Sequence, residues 1–401
     1  MGRIVVIGAG QAGASLTSKL RALGHEGEIV LIGEEPAPPY QRPPLSKKYL
    51  LGEMPLERMY LKAEAAYAEA GIELRTGTHV DAVNTAAKEI HLGDERLSYD
   101  QLAFTTGSSV RTLPASIGGD LGNVFTVRTL ADVDAMAEAF AKGGHVLIIG
   151  GGYIGLEAAA VAAMKGLKTT LIEAADRILQ RVAAPETSDY FRDLHKGHGV
   201  DLREGTALVR LTGDGVVSGA ELADGTTLDI DFAVVGVGID PCIGLASAAG
   251  IHCDNGISVD AHGRTSVEGV WAAGDCASFP YRAERIRLES VPNAIDQAEV
   301  VAANMLGAGQ DYVAKPWFWS DQYDVKLQIA GLNTGYDSVV VRTGEKGQSN
   351  WYYKGDELLA VDAMNDARGY MIGKRLVEAG KSPDKAAIAD PASDLKALLK
   401  A

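Results

Sequence analysis

His145-Val146-Leu147-Ile148-Ile149 runs into Gly150-Gly151-Gly152-Tyr153-Ile154-Gly155-Leu156-Glu157 and then into Ala158-Ala159-Ala160-Val161-Ala162-Ala163. An apolar strand, a glycine turn and an Ala-rich helix in that order make the pattern of a dinucleotide cradle. Gly150 permits the tight turn, Gly152 lets the backbone approach a pyrophosphate, and Gly155 lets helix and strand pack closely. The helix start offers unpaired N–H groups and a positive dipole end to phosphates. One such motif is weak evidence, because glycine-rich turns recur in many loops. Here it is the second copy. Arg3-Ile4-Val5-Val6-Ile7 already leads into Gly8-Ala9-Gly10-Gln11-Ala12-Gly13. Two cradles imply two dinucleotides, and an α/β protein with two Rossmann-like domains.

The segment after each cradle repeats as well. Glu28-Ile29-Val30-Leu31-Ile32 reads as a second strand ending near Glu34, and Lys168-Thr169-Thr170-Leu171-Ile172 as one ending in Glu173. A carboxylate at that strand end takes the two hydroxyls of an adenosine ribose. At Glu173 it also repels a 2′-phosphate, which favours NADH, although Arg177 and Arg181 nearby could accommodate that phosphate. The strand Leu102-Ala103-Phe104-Thr105-Thr106-Gly107 in the first half corresponds to Phe232-Ala233-Val234-Val235-Gly236 in the second.

Bulk properties bound the remaining possibilities. At 401 residues, with 46% hydrophobic and 23% charged residues, the chain suits two or three globular domains. The net charge of −15 argues against a nucleic-acid partner, yet leaves room for a local basic patch. No apolar run reaches the ~20 residues of a membrane helix. No leader pattern precedes the first strand, so a cytoplasmic location is expected. The three cysteines (Cys242, Cys253, Cys276) make no CxxC pair, so neither a disulfide framework nor a metal site is expected, and they read as small core residues.

Between these landmarks lie further signals. Pro43-Pro44-Leu45-Ser46-Lys47-Lys48 reads as an extended entry followed by a helix that starts at Leu45-Ser46. Its lysines either sit beside an electron-rich ring, where positive charge helps, or are simply solvated; spacing does not decide. Residues 72–112 read as a small β-meander, and Thr129 as the cap of a helix. Gly274-Asp275 ends a buried strand, where a carboxylate can bond a polyol chain. Ser290-Val291-Pro292 starts a helix running to about Leu306, whose N–H groups either face a ligand or begin a plain core helix. From about residue 317 the aromatics concentrate, with Trp317, Trp319, Tyr323, Tyr336, Trp351, Tyr352 and Tyr353 in a third, α+β domain. Most of these rings read as core, and the density around Trp317 to Tyr323 leaves one facing a site. The expected division is 1–113, 114–241, 242–316 and 317–401, the first and third segments forming one domain.

With these motifs placed, the chain resembles the two-dinucleotide flavoprotein reductases of the glutathione-reductase superfamily. Within them it is similar to the NADH-dependent ferredoxin reductases that serve bacterial oxygenases. The residues that carry the resemblance are Pro43 to Lys47, Gly150 to Glu157, Ala273-Gly274-Asp275-Cys276-Ala277, Glu289 to Ala294, and Phe318 to Tyr323. The resemblance implies FAD on Gly8, Gly10, Ala12 and Gly13, touching Glu34, Lys47, Val80, Arg128, Asp275, Val291 and Trp319. It implies NADH on Gly150, Gly152, Ile154, Gly155 and Glu173. It further implies that Glu157 pairs with Lys47 near the flavin N5, and that Tyr153 covers the nicotinamide pocket. Disulfide reductases of the superfamily carry a CxxxxC pair where this chain has Pro-Pro-Leu-Ser-Lys, so no thiol relay is expected.

Hydride would pass from NADH to flavin, and single electrons to a two-iron two-sulfur ferredoxin. Because such ferredoxins are acidic, Arg282, Arg285 and Arg287 stand as one docking face, or as a solvated loop. Family members of this size are monomers or weak dimers. Three rivals remain: the same fold with another acceptor (rubredoxin, oxygen, a quinone or an ascorbyl radical), a redox-switched interaction protein of the apoptosis-inducing-factor kind, and a disulfide reductase.

Overall fold

A computed structural model describes residues 2–345 and 347–399, which divide into two compact units. The first comprises Met1–Gln41, Pro55–Ser109 and Ile239–Pro316. Its centre is a parallel sheet in the order Val270–Ala272, Gln101–Phe104, Ile4–Ile7, Ile29–Ile32, Ile72–Arg75. Every residue of Ile4–Ile7 and Ile29–Ile32 is buried, because both faces of the sheet are covered. Alternation sorts them: Ile4, Val6, Ile29 and Leu31 join the layer of Leu16, Leu20, Ala298 and Val301, whereas Val5, Ile7, Val30 and Ile32 join Ile90, Leu97 and Phe279. The first layer comes from the helices Gln11–Ala22 and Val291–Met305. Leu16 and Leu20 lie one helical turn apart, and burying each contributes about 2 kcal/mol. The second layer includes the expected meander, a three-stranded antiparallel sheet of Ala82–Asn84, Glu89–Leu92 and Glu95–Ser98.

The second unit comprises Arg42–Met54, Val110–Gly238 and Trp317–Ala401. It holds a parallel sheet in the order Asp201–Arg203, Lys168–Ile172, His145–Ile149, Phe232–Val235, Val124–Phe125. Thr129 caps the helix Leu130–Lys142 in a reciprocal capping box with Asp132. The C-terminal part is a five-stranded antiparallel sheet backed by the helix Ala367–Glu378. Its spatial order is Trp317–Gln322, Val325–Gly331, Glu357–Met364, Gln348–Lys354, Ser338–Thr343, so the last strand lies in the middle. Buried Asp362 accepts the hydroxyls of Thr187 (2.8 Å) and Tyr352, and Asn350 donates to Thr187 (2.8 Å), which ties this sheet to the helix Pro185–Gly197.

Two expectations need correction. Pro43–Ser46 is a single 3-10 turn, and the α-helix begins only at Lys48, because the backbone at Lys47 (φ −136°, ψ −110°) leaves the helical region. Of the three cysteines only Cys276 is buried; Cys242 and Cys253 are half-buried, and all three are free thiols.

Candidate active site

The two cradles repeat each other atom for atom at their glycines. A Cβ on Gly8 would lie 2.2 Å from the carbonyl oxygen of Thr105, and one on Gly150 2.4 Å from that of Gly236. Both glycines also have positive φ, 112° and 109°. A Cβ on Gly13 would lie 2.1 Å from the Gly8 carbonyl oxygen, and one on Gly155 2.0 Å from that of Gly150. The middle glycines differ from these: Gly10 and Gly152 face open space, with nothing within 4 Å of an added Cβ. Each is the N-cap of its helix, and neither helix start receives a side-chain cap. Elsewhere Thr129, Ser290 and Asp366 cap their helices with side-chain oxygens. An uncapped helix start opening onto vacant volume fits a pyrophosphate, so the residues present fit two dinucleotides.

The acidic strand ends differ. Glu34 is exposed, and its carboxylate meets the His79 ring nitrogen at 3.1 Å. Glu173 is half-buried and accepts the backbone N–H of Gly151 (2.6 Å) and of Ala175 (2.8 Å). Arg177 is committed to the Ser188 hydroxyl (2.6 Å), leaving Arg181 as the exposed arginine of that loop.

Around the first cradle, Ala12 and Val80 are buried. Gly274, at φ 83°, donates its N–H to the buried Gln297 amide (2.8 Å) and turns the chain so that Asp275 follows half-buried. Val291 is the first residue of its helix, and the Ser290 hydroxyl accepts from Asn293 N–H at 3.3 Å. In the second unit, Arg128 is half-buried, its carbonyl accepting from Arg42 (2.5 Å).

Lys47 and Glu157 are 110 positions apart in sequence, yet Lys47 Nζ lies 2.8 Å from Glu157 Oε2. The glutamate, on the helix Tyr153–Met164, is 2% exposed. Its burial is tolerated because three donors converge: the Lys47 ammonium, the Ser46 hydroxyl (2.5 Å to Oε2) and the Ser320 hydroxyl (2.6 Å to Oε1). Neither serine was singled out by sequence reasoning. Tyr153 starts that helix half-buried, its ring 4.8 Å from that of Phe318, and burial pushes its phenol well up. Ile154, beside it, is an exposed large apolar residue.

The strand Trp317–Gln322 has two working faces. Phe318, Ser320 and Gln322 point to Tyr153, Glu157 and His195 respectively. Trp317 and Trp319, stacked at 5.5 Å, line an open recess of about 540 Å³ with Lys326, Lys374 and Arg375. The arginine run is less free than it looks in sequence. Arg285, though exposed, donates to the carbonyls of Val259 (3.0 Å) and Ser278 (2.5 Å). Arg287, 11% exposed, pairs with Glu289 and donates to the Asp275 carbonyl (3.3 Å).

Paired cradles with this geometry define a protein that binds two dinucleotides. Residues 2–298 match the pyridine nucleotide-disulphide oxidoreductase family, and residues 317–399 the reductase C-terminal family. A ferredoxin–NAD(P)(+) reductase of a Sphingomonas species is 44% identical over 98% of this chain and 96% of that protein. The putidaredoxin reductase of Pseudomonas putida is 39% identical over 99% and 97%. The crystal structure of a covalent putidaredoxin reductase–putidaredoxin complex superposes with a TM-score of 0.95, at 37% identity over 100% of this chain and 98% of that one. The chain belongs to the pyridine nucleotide-disulphide oxidoreductase family, in the branch of ferredoxin reductases with the C-terminal reductase domain.

Proposed function

We propose that this protein is an FAD-containing NADH:ferredoxin oxidoreductase of the cytoplasm, delivering electrons to a two-iron two-sulfur ferredoxin that feeds a monooxygenase or dioxygenase. The observation that carries the reading is the duplicated open cradle, in a chain similar over its whole length to proteins named ferredoxin reductases. The balance is one NADH and two oxidised ferredoxins giving NAD⁺, one proton and two reduced ferredoxins. FAD supplies the step no side chain can: it accepts a two-electron hydride and gives back single electrons.

The chain's own residues bind and position. In the first unit Gly8, Gly10, Ala12, Gly13, Glu34, Val80, Asp275 and Val291 hold FAD. In the second, Gly150, Gly152, Ile154, Gly155 and Glu173 hold NADH, and Lys47, Glu157 and Tyr153 form the catalytic set, with Arg128 and Trp319 completing the cofactor contacts. Segments 1–113 and 242–316 form the FAD domain, 114–241 the NADH domain and 317–401 the third. Hydride transfer between positioned rings needs no general base, so the chain requires no Ser or His nucleophilic set. The cysteines take no part: burial pushes the Cys276 thiol up, away from the reactive thiolate.

Ferredoxin docking needs a cationic face on an acidic body. Lys326, Lys374 and Arg375 around the two indoles supply one in an open recess that stays net cationic although Glu378 also lines it and pairs with Lys374 (3.5 Å), and it is favoured over Arg285 and Arg287, whose guanidinium groups serve the fold. Stopped-flow mixing of FAD-loaded protein with NADH, then with two-iron ferredoxins, tests the reading. Bleaching of the flavin by NADH and fast ferredoxin reduction are expected. A protein that takes no FAD, or that reduces oxygen, rubredoxin or quinones faster than every ferredoxin tried, overturns it.

A further inference from the structure

Glu157 is the end of a longer chain of hydrogen bonds, all within the second unit. The Ser320 hydroxyl donates to Glu157 Oε1 (2.6 Å) and accepts from the Gln322 amide nitrogen (3.2 Å). The amide oxygen of Gln322 meets His195 Nε2 at 2.8 Å, and His195 Nδ1 meets the Tyr323 hydroxyl at 3.2 Å. An amide oxygen only accepts, so Nε2 carries the ring proton and Nδ1 accepts from tyrosine. Every donor then points the same way, from Tyr323 through His195, Gln322 and Ser320 towards the carboxylate. Ser320, Gln322 and His195 are each 0–1% exposed, so water does not compete for these bonds. Burial pushes the His195 imidazole down to about 4, which keeps it neutral near pH 7.

The outer end is built at a cost. Tyr323 has a φ of +55°, a left-handed conformation that bulky side chains rarely adopt. Its ring is thereby stacked on exposed His198 (3.7 Å between centroids, 6° between planes) while its hydroxyl reaches His195. Tyr323 and Asp324 form the two-residue turn between the strands Trp317–Gln322 and Val325–Gly331, a turn type that calls for a positive φ.

We propose that His195 is a positioning residue for the reaction: through Gln322 and Ser320 it fixes the Glu157 carboxylate, and with it the Lys47 ammonium. The proposal rests on the assignment of Lys47 and Glu157 to the catalytic set. An amide passes polarisation but does not relay protons, so the chain orients and does not conduct.

Two variants at one position separate this role from simple core packing. His195→Gln places an amide N–H where Nε2–H stood and keeps the donor to Gln322; His195→Leu fills similar space without it. Flavin bleaching by NADH is expected to slow roughly tenfold in His195→Leu, an order below the ~100-fold cost of a 1 Å misplacement, and to stay near wild type in His195→Gln. Independently of turnover, ¹⁵N spectra are expected to show the His195 imidazole, assigned among the eight histidines by its loss in His195→Gln, as neutral and of the Nε2–H form. Gln322→Leu should convert it to a tautomer mixture. If both His195 variants melt lower yet bleach alike, or if the ring is found in the Nδ1–H form, the proposal is overturned. Wild type in the same apparatus reports on the underlying reading: failure of wild type to bleach sinks the reductase assignment, whereas a bleaching wild type with indistinguishable variants sinks only the role of His195.

Discussion

The first and second cradles share their glycines and part company at their carboxylates. In both, the outer glycines touch backbone oxygens and the middle one faces open space. Glu34, however, stands in solvent with one histidine, whereas Glu173 spends part of its acceptor capacity on Gly151 and Ala175 of its own loop. A backbone turn is dictated by local sterics and so repeats. How much of a side chain is left for a ligand depends on what the tertiary structure brings beside it.

Substitutions in the two units test this difference. The largest effect is expected at Glu157, which has no counterpart in the first unit. Glu157→Leu removes the counter-charge of the largely buried Lys47 ammonium, which keeps the Pro43 carbonyl (3.2 Å), and should cost about 3–5 kcal/mol in denaturant unfolding, as well as slowing flavin reduction. Next, Asp362 gives the second unit an element that weakens as pH rises. Burial raises its carboxyl from 3.8 to about 6, so the folded state holds that proton more tightly than the unfolded one. Stability should therefore fall as pH rises from about 4 through 6, by ~3 kcal/mol, and stay low above; Asp362→Asn should flatten that limb in a melting series.

Gly155→Ala and Gly13→Ala should each cost about 2–3 kcal/mol, since the new methyl lands against a carbonyl oxygen. Gly152→Ala and Gly10→Ala should leave melting nearly unchanged and instead weaken NADH and FAD, respectively, in titrations. Equal destabilisation by all four alanines would end the claim that the middle glycines serve a ligand. The smallest effect is expected for Glu173→Gln, a shift of no more than about tenfold in the NADH:NADPH preference, because backbone contacts already hold that side chain.

Legibility followed the range of the cause. The glycine pattern, the buried strands and the cap at Thr129 were readable because each is decided within a few residues. The helix at Lys48 was placed too early because nothing local marks the break at Lys47. The Lys47–Glu157 pair came only through resemblance, since no periodicity links positions 110 apart. His195, Ser320 and Gln322 were missed, although the strand Trp317–Gln322 sets Trp317 and Trp319 against Phe318, Ser320 and Gln322 and so announces two faces. Arg285 and Arg287 stand in a mixed charge run that reads either as a docking face or as a solvated loop. Only the packed structure reveals the carbonyls and the glutamate that engage them.

Glu157 takes its donors from two stretches of chain: the turn at 46–47 and the strand that opens the C-terminal domain. That domain is therefore not an interchangeable appendage. A chimera that borrows residues 317–399 from another reductase inherits whatever stands at positions 320 and 322, and with it the setting of a carboxylate some 160 residues upstream. A swap of this module that leaves the serine and the glutamine behind also takes a buried donor away from Glu157.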